Sequence, residues 1–118
     1  MPQVIIHATI DFADEATRDE AIRLCAPVQW ATRTEEPGCL EYCFAADPCV
    51  PNRINIHELW ADHDSLHAHF AHHYYNQMRQ IFGPLKPTGS WNRMFEVSKE
   101  STVYLEGGKI RERFFEDA

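Results

Sequence analysis

The chain has 118 residues, 44% of them hydrophobic, and carries eighteen acidic against eleven basic side chains for a net charge of −7. That describes one domain with a modest core, small enough to gain from a partner subunit and far from the disordered class. An acidic chain without a Lys/Arg run argues against nucleic acid and anionic membranes as partners; no apolar run approaches membrane-spanning length, and Met1-Pro2-Gln3 opens no signal peptide, which predicts a cytoplasmic protein.

Residues 4–12 are rich in β-branched side chains and partly alternate, so they read as a first strand. Asp14 and Glu15 then place negative charge at a helix start, where the macrodipole favours it. Thr17, Ala21, Leu24, Cys25, Val28 and Ala31 recur at helical spacing as its inner face, with Ile22 and Trp30 off that stripe. Pro27 falls inside and is expected to kink or split this helix. Pro37-Gly38 stops it. Residues 39–46 and 53–60 read as an antiparallel hairpin around the turn at 47–52. Asp62, with Ser65 three residues on, caps a second helix whose stripe is Leu66, Phe70, Tyr74, Gln77, Met78 and Ile81. Gly83-Pro84 ends it, and residues 91–98 read as a fourth strand. Beyond lie two short alternating runs around Gly107-Gly108, a hairpin signal.

The order β-α-β-β-α-β is the α+β ferredoxin-like plan, an antiparallel sheet with two helices on one face. The bare face needs cover, and two such sheets facing each other make a homodimeric barrel. The division expected is a domain over 1–100 and a C-terminal hairpin or arm over 101–118, placed to reach across a partner. Cys39 and Cys43 should share one face of an extended strand, roughly 13 Å apart, too far for a disulfide. No Cys-x-x-Cys occurs, so Cys25, Cys39, Cys43 and Cys49 are expected as free thiols.

The densest signal is Glu36-Pro37-Gly38-Cys39-Leu40-Glu41-Tyr42, a helix stop followed at once by a strand, and Ile56-His57-Glu58-Leu59-Trp60, a strand ending in Trp. This arrangement resembles the antibiotic biosynthesis monooxygenase family of small dimeric α+β barrels, over roughly residues 3–100. The resemblance implies cofactor-independent oxygenation, by O₂, of a small electron-rich aromatic of the hydroquinone or anthrone type. Two other readings keep the fold: isomerisation of a small hydroxyketone, and a non-enzymatic small-molecule-binding stress protein. The chain departs from parts of the family. Anthrone-oxidising members carry an Asn where Ile56 stands. Haem-degrading members use an Asn on the first strand, where this chain offers His7 and Thr9, and a Trp on the second helix, which is missing.

The candidates for chemistry follow. His73, Glu58 and Tyr74 are the catalytic candidates; Tyr74 falls where quinol-type members carry a His, with His73 beside it. Trp60, Phe70, Tyr42 and His7 are the candidates for holding the ring. The plain alternatives are core packing for Trp60 and Tyr74, and an ion pair to Arg93 for Glu58. If buried, Glu58 would be a stronger base. The cluster His63, His67, His69, His72 and His73 is the loudest feature, but no His-Glu-x-x-His occurs and the helical projection turns His69, His72 and His73 away from the stripe, so no metal site is expected. With no Gly-x-Gly-x-x-Gly, P-loop or Gly-x-Ser-x-Gly, neither a nucleotide cofactor nor Ser/His/Asp chemistry is indicated.

Overall fold

The computed structural model describes residues 1–116. Strand β1 (Val4–Asp11) leads into helix α1 (Glu15–Glu35), followed by strands β2 (Cys39–Ala46) and β3 (Arg53–Trp60), helices α2 (His63–Ala71) and α3 (His73–Phe82), and strand β4 (Gly89–Glu96). The sheet is antiparallel in the order β2-β3-β1-β4. This is the ferredoxin-like α+β fold that the sequence predicts, with the second helix in two pieces.

Period-two alternation puts Val4, Ile6 and Ala8, Tyr42 and Phe44, and Ile54, Ile56, Glu58 and Trp60 on one buried face. Ala21, Cys25 and Val28 of α1 and Leu66, Met78 and Phe82 of α2 and α3 complete this core. The other face carries Ile5, His7 and Thr9 alongside Asn55, His57, Trp91, Arg93 and Phe95, a surface that mixes apolar, aromatic and polar side chains. Strand β4 has no buried residue. The helical layer stops short of it.

Asp14 caps α1 by accepting from the Thr17 amide at 2.8 Å, and α1 runs unbroken past Pro27, whose ring lies on the solvent side. Leu24, expected inside, is exposed, whereas Trp30 is exposed as its position off the stripe implies. Gln29 seals α1 to the edge of the sheet: its Oε1 accepts from the Phe44 amide at 2.8 Å and its Nε2 donates to the Phe44 carbonyl at 3.3 Å. That occupies backbone groups an edge strand would otherwise leave open. Gly38 makes the corner between α1 and β2 at φ +81, with its carbonyl accepting from the Ala61 amide at 2.8 Å.

Three further expectations need correcting. The register of β2 on β3 shifts between Cys39 and Glu41, a bulge at Leu40. An extra residue flips the alternation, so Cys39 packs against the core while Cys43 pairs opposite His57 on the outer face. The two do not share a face. The second helix is also broken. His72 takes an extended conformation (φ −78, ψ 147), closes α2 with its backbone and caps α3 by accepting from the Tyr74 amide at its Nδ1. Beyond β4, Gly107-Gly108 does turn the chain, both residues at positive φ, but it joins a single bridge between Tyr104 and Ile110 instead of two strands. All four cysteines are free thiols.

Gly38→Ala should destabilise the fold. A Cβ there would lie 2.1 Å from Ser65 Oγ and 2.4 Å from Ser65 Cβ, at a left-handed φ. The expected loss is at least about 1 kcal/mol, read as a lower urea midpoint at unchanged slope; an unchanged midpoint would show that the corner is not tight.

Candidate active site

Because the helical layer ends before β4, a cavity of about 380 Å³ opens between the sheet and α3. Its wall is mostly apolar, with Ile6, Phe44, Ile56, Met78 and Phe82 on the core side and Phe70, Tyr75 and Met94 nearer the opening. A second, more open space of about 480 Å³ lies outside it, between Val4, Leu66, His63, His67 and Glu96; Phe70 and Met94 belong to both and form the partition. Arg79 and Asn92 add polarity to the inner cavity.

Two polar side chains in that wall come from the β2–β3 ladder. Tyr42 and Glu58 are directly opposite partners on the buried face. Glu58 accepts a hydrogen bond from Trp60 Nε1 at 3.0 Å through Oε1. Its Oε2 and the Tyr42 hydroxyl make no hydrogen bond among the described residues. The polar atoms sealed away without a partner are others: Thr32 Oγ1, Glu36 Oε2 and Ser101 Oγ. Glu58 Oε2 and the Tyr42 hydroxyl therefore keep access to the cavity. Burial pushes the Glu58 carboxyl up to about 7; Glu36 adds to the rise, while the Trp60 bond and His57 oppose it. Burial likewise pushes the Tyr42 phenol up, with Glu58 and Glu36 adding to it, so it stays protonated. The wall thus presents a proton acceptor and a proton donor side by side.

Behind this wall lies a feature the sequence reading missed. His69 on α2 is 2% exposed, and its Nδ1 meets Glu36 Oε1 at 2.8 Å. Burial lowers the pKa of His69, and the Glu36 carboxylate opposes that. A neutral imidazole that donates its Nδ1 proton to Glu36 Oε1 pairs these two atoms and leaves Glu36 Oε2 without a partner. The His69 ring packs 4.5 Å from Trp60 and 5.4 Å from both Tyr42 and Tyr75.

The structure brings Tyr42, Glu58 and Phe70 to the cavity and leaves the other sequence candidates elsewhere. Trp60 is fully buried beneath the wall, holding Glu58 rather than lining the space. Tyr74 donates to Glu35 at 2.8 Å, and His73 is exposed and stacked on His72. His7 faces the opposite side of the sheet, edge-on to Trp91. The expected Glu58–Arg93 ion pair is absent, because Arg93 lies over the Trp91 ring and Glu58 is bonded to Trp60. His69 is buried rather than turned outward: α2 ends at Ala71, so its buried side is set by Leu66 and His69, and Phe70 is 43% exposed. Among the described residues no three His, Cys, Asp or Glu side chains are placed to hold a metal ion, and no helix is long and apolar enough to cross a membrane.

A sequence model of the antibiotic biosynthesis monooxygenase family matches residues 3–80. The chain belongs to that family. Among solved structures it is similar to a Deinococcus radiodurans protein described as a candidate antibiotic biosynthesis monooxygenase, at 26% identity and TM-score 0.75, covering 85% of this chain and 97% of the other. A Caulobacter crescentus protein described in the same terms shares 19% identity at TM-score 0.75, over 83% and 92% of the two chains. The monooxygenase from the ActVA-Orf6 gene of Streptomyces coelicolor, solved with the ligand nanaomycin D, shares 17% identity at TM-score 0.70, over 86% and 92%. At these lower identities the likeness shows the fold. No curated protein sequence gives a significant match.

The raised Glu58 carboxyl has a consequence for stability. The folded state holds this proton up to about 7, whereas the unfolded chain releases it near 4.5. Between those values the folded state binds more protons, so this group makes the protein less stable as pH rises. Glu58→Gln should therefore gain stability over the parent by up to about 3 kcal/mol on going from pH ~4 to pH ~8. Urea unfolding of both proteins across that range checks it; parallel profiles would mean that the carboxyl titrates normally.

Proposed function

We propose that this family member is a monooxygenase that oxygenates a small electron-rich aromatic, a hydroquinone or an anthrone, directly with O₂ and without flavin, haem or metal, and that it works as a homodimer. The observation that carries the reading is the Tyr42–Glu58 pair, an acceptor and a donor facing one apolar cavity. Glu58 Oε2 removes a phenolic or benzylic proton. The resulting anion is rich enough in electrons to reduce O₂, and a carbon–oxygen bond forms at the ring. The Tyr42 hydroxyl donates to the oxygen on which charge collects, in a space with mostly apolar walls. Arg79 at the same wall adds a positive charge nearby. For a hydroquinone, one oxygen atom enters the ring, the other leaves as water with two hydrogens of the substrate, and a hydroxyquinone remains. The atoms and the four electrons taken up by O₂ balance. The homodimer is supported by the bare second face of the sheet, where Trp91 and Phe95 are exposed.

Oxygen uptake against a panel of hydroquinones and anthrones tests the reaction. Activity should rise with pH through about 7, because the base must have lost its proton. Glu58→Gln should lower kcat by about 10²-fold or more. Tyr42→Phe should lower it less while leaving the pH midpoint in place. No uptake over the whole panel would sink the proposal, and O₂-independent interconversion of a small hydroxyketone would favour the isomerase reading. Light scattering at micromolar concentration should give the mass of two chains; one chain's mass would remove the dimer.

A further inference from the structure

Glu36 and His69 are costly to keep where they are. Their side chains are 3% and 1% exposed, and each is the other's hydrogen-bonded partner. Glu36 also sits at the C-terminal end of α1, the negative end of the helix dipole, where a carboxylate is disfavoured. Its Oε2 has no partner, nor does Thr32 Oγ1 one turn earlier. A buried ion pair is often replaced by apolar groups of similar size with no loss of stability. Core packing therefore gives no reason for a carboxylate here, but the contacts do. From Glu36 they run through the His69 ring to Trp60, and from Trp60 Nε1 to Glu58.

We propose that Glu36, anchored by His69, is a positioning residue for the cavity: a fixed buried anion that governs how readily Glu58 gives up and takes back its proton, without touching the substrate. This rests on reading Glu58 as the base. The surroundings of Glu58 support it. On β2 stand Tyr42 and Cys39, and on β3 His57 lies on the opposite face. The helices bring His69 on α2 and Tyr75 and Arg79 on α3, and β4 brings Asn92 and Met94, with Arg93 turned to the outer face over Trp91. Of the charged groups, Glu36 raises the Glu58 carboxyl and His57 lowers it. Glu36 acts on Tyr42 and Cys39 in the same upward sense, the Cys39 thiol reaching about 11, with burial the larger cause in both. One anion thus bears on Glu58, Tyr42 and Cys39, while the His69 hydrogen bond keeps it from swinging away.

The test is the Glu58 side-chain titration, followed by carbon NMR, together with the pH profile of oxygen uptake. In Glu36→Gln, which keeps the hydrogen bond to His69 and drops the charge, the Glu58 midpoint should fall by about one unit. Glu36→Asp should restore much of the parent value. If Glu36→Gln does not fold, the double variant Glu36→Leu/His69→Phe replaces the pair by apolar side chains and should show the same fall. The uptake profile should move with the NMR midpoint. A Glu58 midpoint at the parent value in Glu36→Gln, or in the double variant where Glu36→Gln does not fold, would overturn the proposal. Because the NMR titration needs no turnover, it decides the role of Glu36 even if the oxygenase reading fails; a shifted midpoint without oxygen uptake would sink that reading alone.

Discussion

The register of β2 on β3 is the constraint on which the rest depends. It sets Tyr42 opposite Glu58 on the buried face, and it does so after the bulge at Leu40 has reset the alternation. Without the bulge, every side chain of β2 beyond Leu40 would change faces. Tyr42 and Phe44 would then point away from the helices, and Cys43 would enter the core. The tight corner at Gly38 fixes where β2 begins and ties it to Ala61 at the end of β3. Corner, bulge and hairpin act together, and the proton-handling pair results from all three.

The fold was legible in the sequence because each strand announces itself by composition and each helix by a start or stop signal. The caps at Asp14 and Asp62 lie where acidic residues precede the helical stripes. Other features were less legible. A bulge is a matter of pairing between strands, and nothing in Cys39-Leu40-Glu41 announces it. The break at His72 rests on an imidazole accepting from the Tyr74 amide, an uncommon cap. Taking one continuous stripe through Leu66, Phe70 and Tyr74 misplaced His69. A histidine three residues after a buried Leu is a fair candidate for the same face, and Glu36 stands in the most informative motif of the chain. Their meeting across 33 positions, however, is a tertiary event that no local pattern reports.

The candidate site divides in the same way. Glu58 was legible as an acid that would matter if buried, and Tyr42 and Phe70 as aromatic wall. Trp60 was legible as an important aromatic, but its position beneath the wall and its bond to Glu58 appear only in three dimensions. The histidines drew attention by their number. The one that is buried against the site takes its hydrogen-bond partner, Glu36, and its ring contacts to Tyr42, Trp60 and Tyr75 from other segments.

Strand β4 separates two demands that most cavity walls combine. Its backbone completes the sheet through pairing with β1, while its side chains bury nothing. Asn92 and Met94 therefore shape the cavity without belonging to the core. Substitutions at exposed positions of this kind usually change stability by less than about 0.5 kcal/mol. Sequence drift along this edge strand can thus reshape the cavity while Tyr42 and Glu58 on β2 and β3 stay in place. In this architecture the shape of the cavity is free to change faster than its polar pair, through residues the fold hardly constrains.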